Sequence, residues 1–173
     1  MTKMTVSKIL SPEGVAKIRD SASWHENMHS LLTALHWEDA LGYWVNACTA
    51  EKLIAWLLPH SVSTLPPGES THAFEADISN WLKTYEDNYR WRIFHQAESL
   101  GFSTPAGALG LAIFWTGSLT QPEYEAVYAD EHLTPLMLCT VLRLLSIRLA
   151  GPDTPDFGAR QLYSLWLPVQ ENE

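Results

Sequence analysis

S-T-H-A-F-E-A-D-I-S-N-W-L-K-T-Y, residues 70–85, carries an unbroken helical period. Phe74, Ile78, Trp81, Leu82 and Tyr85 recur at i, i+4, i+7, i+8 and i+11, while Glu75, Asp77, Asn80 and Lys83 fall on the other side. Side chains three and four apart share a helix face, so this spacing specifies one apolar stripe facing a core. No stretch of the chain alternates as a half-buried strand would, and no repeat has a fixed period.

Outward from that helix the punctuation is local and clear. Four pairs, Ser11-Pro12, Thr104-Pro105, Thr134-Pro135 and Thr154-Pro155, read as helix starts. The hydroxyl at N-cap accepts from a free backbone N–H, and proline at N1 has no N–H to leave unpaired. Helices are expected near 12–19, 24–36, 37–48, 50–58, 70–85, 89–100, 105–115, 136–149 and 156–167. Leu35, Phe157 and Leu165 are read as inward-facing, Thr49 as an N-cap, and Pro59 and Pro168 as stops. Gly101 suits the residue after a helix, where a positive φ is cheap only for glycine. Pro66-Pro67-Gly68 marks a loop. The expected fold is all-α: one domain over 1–173, a compact bundle or orthogonal array of about eight helices, divisible into halves 11–59 and 70–168.

Composition narrows the function classes. A net charge of −9 and the lack of a Lys/Arg cluster argue against nucleic acid, because phosphate binding needs clustered cations. The densest basic stretch is Arg90–Arg92, set among aromatics. The most apolar stretch, 136–149, is broken by Arg143 and Arg148 and is shorter than the roughly 20 residues of a membrane span. It is expected to be the central core helix, without membrane insertion. Residues 1–11 hold no apolar run with a cleavage site, and two cysteines make no disulfide framework. The expected location is the cytoplasm. Eight tryptophans point to large core contacts, an interface, or both.

One motif looks catalytic. Residues 25–29 read H-E-N-M-H. On a helix His25 and His29 share a face and could hold one zinc, with Glu26 acting on a bound water and Glu51 as a third ligand. Against this, only 24 residues precede His25, no sheet is visible to back the helix, and Ser23 is a good N-cap that places Glu26 in the first turn. No cofactor is therefore expected. Nucleophile elbows, phosphate loops and Cys-x-x-Cys pairs are missing.

The segment from Arg90 to Leu149 resembles a family of small helical bacterial proteins of unknown function, often encoded in type VI secretion gene clusters. The resemblance is carried by Ala97-Glu98, Gly101, Thr104-Pro105-Ala106, Phe114-Trp115, Gly117-Ser118-Leu119 and Leu133-Thr134. Thr116 stands where that pattern has serine, and one glycine is missing. The resemblance implies a secretion-associated accessory protein and supplies no activity. The expected function is a non-enzymatic adaptor or chaperone that binds a protein partner, a secretion component or an effector. Trp115, Tyr124 and Trp166 are the candidate anchors. The alternatives are an immunity protein that neutralises a toxic effector, and a zinc hydrolase built on His25, Glu26 and His29.

Overall fold

A computed structural model describes residues 9–170, of Gln170 only the backbone. Residues 1–8, most of the segment where no export signal was expected, lie outside the described residues, as do 171–173. The fold is all-α. The described helices are α1 (Pro12–Lys17), α2 (Trp24–Thr33), α3 (Trp37–Ala47), α4 (Ala50–Val62), α5 (Glu69–Thr84), α6 (Asp87–Leu100), α7 (Pro105–Phe114), α8 (Leu133–Ala150) and α9 (Pro155–Gln170). Among the described residues there is no strand, only an isolated antiparallel bridge between Ser118 and Tyr128.

The chain divides into two units. One holds residues 1–48 and 142–173, the other residues 49–141. The division at 141/142 falls inside α8.

In the first unit, local chemistry sets the helix ends. Ser11 Oγ accepts from the Gly14 N–H at 3.0 Å, and Ser11 is itself held by Asp39, which accepts from its N–H at 2.6 Å and from its hydroxyl at 2.8 Å. A Cβ on Gly14 would lie 2.3 Å from Asp39 Cγ, so α1 sits on α3 only because residue 14 is glycine. Leu35 departs from expectation: it is 64% exposed with φ 62°. It occupies the left-handed residue of a Schellman motif, with His36 N–H donating to Leu31 O and Leu35 N–H to Leu32 O. The turn that frees α3 to start at Trp37 carries Leu35 out of the core. Trp44 and Trp166 are fully buried, their ring centroids 5.5 Å apart, and Tyr163 lies edge-on to Trp44 at 5.9 Å. Phe157 and Leu165, expected inward on α9, are exposed, while Leu162 and Trp166 take the buried positions.

In the second unit the enclosed helix is α7. Every residue from Ala106 to Phe114 is buried, the condition of a helix that is apolar all round. A Cβ on Gly110 would meet Ala97 Cβ at 2.5 Å, so glycine and alanine let α6 and α7 approach backbone to backbone. The helix expected to be central, α8, is instead partly exposed at Leu136, Ile147 and Leu149. It starts at Leu133, so Thr134-Pro135 lies within its first turn rather than capping it. By length and composition α8 could cross a membrane; 39% of it is buried in the protein, and its Arg143 pairs with Glu38 at 3.0 Å.

Pro59 and Pro168 were expected to stop helices and do not. Each lies inside its helix, α4 or α9, on the exposed side, as does the residue four earlier, Ala55 or Ser164. The carbonyl that loses its donor there faces water, which lowers the cost of proline. Tyr85 also departs from the inward reading. It is the C-cap of α5, with φ 55°, and is exposed.

His60, on α4, packs its ring against Trp56, tilted by 50° with centroids 4.4 Å apart, and burial lowers its pKa below the usual histidine range. Above about pH 6.5 both folded and unfolded chains hold this histidine neutral. Below it the unfolded chain takes up a proton that the folded chain resists, so stability falls with pH until the folded pKa is passed. Urea unfolding at pH 7.0 and 5.5 is expected to show a loss that His60→Gln reduces; an equal loss in the variant refutes this origin.

Candidate functional site

The site grows from Arg90. Its side chain, on α6, is buried although charged. Burying a guanidinium demands that its fork be filled. Nε donates to Asp87 Oδ1, Nη1 to Phe114 O and Nη2 to Ser118 O, each at 2.6 Å. The guanidinium also lies 4.8 Å from the Phe114 ring centroid. One residue therefore caps the end of α7 and holds Ser118 in the loop that follows. Gly117 completes the seat, because a Cβ there would lie 2.6 Å from Arg90 Nε.

The loop between α7 and α8 closes on this mount. Leu119 N–H donates to Val127 O at 2.7 Å, and Thr120 Oγ1 donates to Glu125 O at 2.8 Å. Ser118 and Thr120 hydroxyls lie 2.9 Å apart. All residues from Gln121 to Tyr128 are exposed. Tyr124 is 68% exposed, Val127 52% and Tyr128 69%. A chain that hydrogen-bonds its loop yet leaves two tyrosines and a valine in water presents contact area at little ordering cost.

Behind the mount lies an aromatic cluster. Phe94 stacks on Phe114 at 4.2 Å and on Phe102 at 6.0 Å, and Trp91 meets Phe114 edge-on at 4.8 Å. Trp91 and Phe94 are half-buried and Phe102 is exposed. The second unit also carries most of the charge: eleven Asp and Glu against four Lys and Arg, a net −7 of the chain's −9. The Arg90–Arg92 stretch adds no basic surface. Arg90 is consumed as described, and Arg92 makes a bidentate pair with Asp77 through Nε and Nη2.

Of the three anchors expected from sequence, Tyr124 is on the loop and exposed, and Trp115 is the half-buried C-cap of α7. Trp166 is excluded as a contact residue: it is fully buried beside Trp44 in the first unit. Arg90, Val127 and Tyr128 also belong to the site, though not among the residues expected from sequence. The two carbonyls that Arg90 binds lie 24 and 28 residues away, so its role has no local signal.

The H-E-x-x-H residues lie in the first turns of α2, exposed at His25, Glu26 and His29. Ser23 and Glu26 form a capping box: Ser23 N–H donates to Glu26 Oε2 at 2.7 Å, and Glu26 N–H to Ser23 Oγ at 3.2 Å. The backbone N–H of Ser23, then its hydroxyl, hold the Glu26 carboxyl below the usual carboxylate range. His25 Nδ1 is 3.0 Å from the Tyr163 hydroxyl, and His29 Nε2 is 3.4 Å from Thr33 Oγ1. Glu51 opens α4 in the other unit. Among the described residues, no group of three or more His, Cys, Asp or Glu side chains is arranged to hold a metal ion.

A family model described as a family of unknown function matches residues 27–164, a span that includes the Arg90 clamp, the loop and the aromatic cluster. No curated protein and no solved structure matches the chain.

Proposed function

The chain belongs to that family of unknown function, DUF6931, and from this premise we propose that it is a non-enzymatic accessory protein that holds a protein partner, as adaptor or chaperone, in bacterial type VI secretion. The observation that carries the binding role is the exposed Tyr124–Val127–Tyr128 surface on a loop whose base Arg90 holds at Ser118. Core packing leaves no reason for those side chains to be in water, and aromatic residues on pre-ordered backbone are the usual anchors of an interface. The secretion setting rests on the resemblance of the segment from Arg90 to Leu149 to proteins encoded with that machinery, and a cytoplasmic location goes with it.

A second reading, an immunity protein for a toxic effector, is favoured by the charge on the second unit, since acidic surfaces commonly meet the basic sites of toxins. The two differ in the partner. Affinity capture of the tagged chain from its native host, beside the Tyr124→Ser/Tyr128→Ser variant, tests both. A dominant protein held by the wild type and lost from the variant supports the binding role. Its identity, machine component or toxin, chooses between the readings. Identical capture by both chains removes the loop from the role.

A further inference from the structure

We infer that the loop from Leu119 to Glu131 receives a basic protein segment, whose Lys and Arg side chains meet Tyr124 and Tyr128 and pair with the glutamates beside them. The inference rests on the reading of this loop as the partner surface and specifies the chemistry of what it holds.

Three observations carry it. First, Glu123, Glu125 and Glu131 are exposed, and no ion pair is formed by any of them within the described residues. Asp130, in the same run, is hydrogen-bonded to His132. Secondly, no Lys or Arg occurs from residue 93 to residue 142; Arg90, at the base of the loop, is consumed by the mount, and Arg92 is paired with Asp77. Among the described residues, no cationic side chain pairs with these glutamates. Thirdly, the acids are interspersed with exposed tyrosines and a valine, in the order Glu123, Tyr124, Glu125, Val127, Tyr128. A guanidinium or ammonium can lie over a tyrosine face while a neighbouring carboxylate takes its N–H groups. A nucleic acid or an anionic membrane would face repulsion at the same surface.

The test is a titration of the full chain, 15N-labelled, with a peptide of alternating glycine and Lys/Arg, beside a Gly/Glu peptide of equal length. The expected result is amide shifts concentrated in Leu119–Glu131 with the basic peptide and none with the acidic one. Glu123→Gln/Glu125→Gln/Glu131→Gln and, separately, Tyr124→Ser/Tyr128→Ser are each expected to weaken binding by about tenfold or more at low salt. All five positions are exposed, so both variants should keep the wild-type spectrum elsewhere. Shifts centred instead on Glu51, Glu69 or Glu75 overturn the inference, as does undiminished affinity in the glutamine variant. If the peptide leaves the loop unmoved while a captured partner is still lost from the tyrosine variant, the basic-segment inference falls and the partner surface stands. If neither responds, both fall.

Discussion

Gly158→Ala is expected to destabilise the first unit by about 3 kcal/mol or more, at the upper end of overpacking effects. A Cβ at this position would lie 1.8 Å from Ser146 O and 2.8 Å from Ala150 N. Both are backbone atoms of α8, so no rotamer change relieves the clash, and α9 must move off α8. Ser146 has little freedom to yield, being fully buried with its hydroxyl donating to Leu142 O at 2.7 Å. For a chain of this size the expected fall in Tm is roughly 6–12 °C. Calorimetry checks it, with Gly68→Ala as the comparison, since nothing lies within 4 Å of a Cβ there and φ is extended. The comparison is expected to cost no more than about 1 kcal/mol. A Gly158→Ala protein as stable as wild type would mean that α8 and α9 do not approach backbone to backbone at this position.

The second large effect belongs to Arg90. Arg90→Ala removes the guanidinium donors from two carbonyls and the ion pair from Asp87 at once, and is expected to cost about 3 kcal/mol. Asp87 is half in water and contributes the smaller part, so the loss comes mainly from Phe114 O and Ser118 O. Arg90→Lys is expected to recover less than half of it, because an ammonium cannot span the geometry that a planar fork fills. The effect should also be local. Hydrogen exchange at the Leu119 amide, which donates to Val127 O, is expected to quicken in both variants more than exchange in α4 does. Uniform quickening would assign Arg90 to global stability and leave the loop without a mount. Because the loop carries Tyr124 and Tyr128, both variants are also expected to lose captured partner along with loop order.

The two effects differ in what the sequence reveals of them. Gly158 sits in an ordinary helix start after Thr154-Pro155, and nothing nearby distinguishes it from a weak helix former. Arg90 lies in the densest basic stretch and reads as surface charge. Its role depends on where the end of α7 arrives, 24 residues further on. Tyr124 was legible as a candidate because it follows a proline in a segment without helical period, and such segments run over the surface. Tyr128 and Val127 belong to the same loop, yet the bond that orders them, Leu119 N–H to Val127 O, crosses eight residues of irregular chain and has no pattern to announce it. Trp166 failed as an anchor because a tryptophan on an amphipathic helix has the same spacing whether its stripe meets a core or a partner.

What the sequence determined alone was the all-helical class and the helix starts at Ser11, Ser23, Thr49 and Thr104. Those depend on a hydroxyl and an N–H three residues apart, a range within which chain connectivity fixes the geometry. Tertiary structure decided which helix is enclosed, α7 rather than α8, and which apolar side chains stay in water. It also decided that helices continue through Pro59 and Pro168, and that the most basic stretch holds a loop. These outcomes turn on distances between residues far apart in sequence, such as Gly110 against Ala97 and Arg90 against Ser118. Periodicity identifies a face; only the packed neighbours determine whether that face is covered.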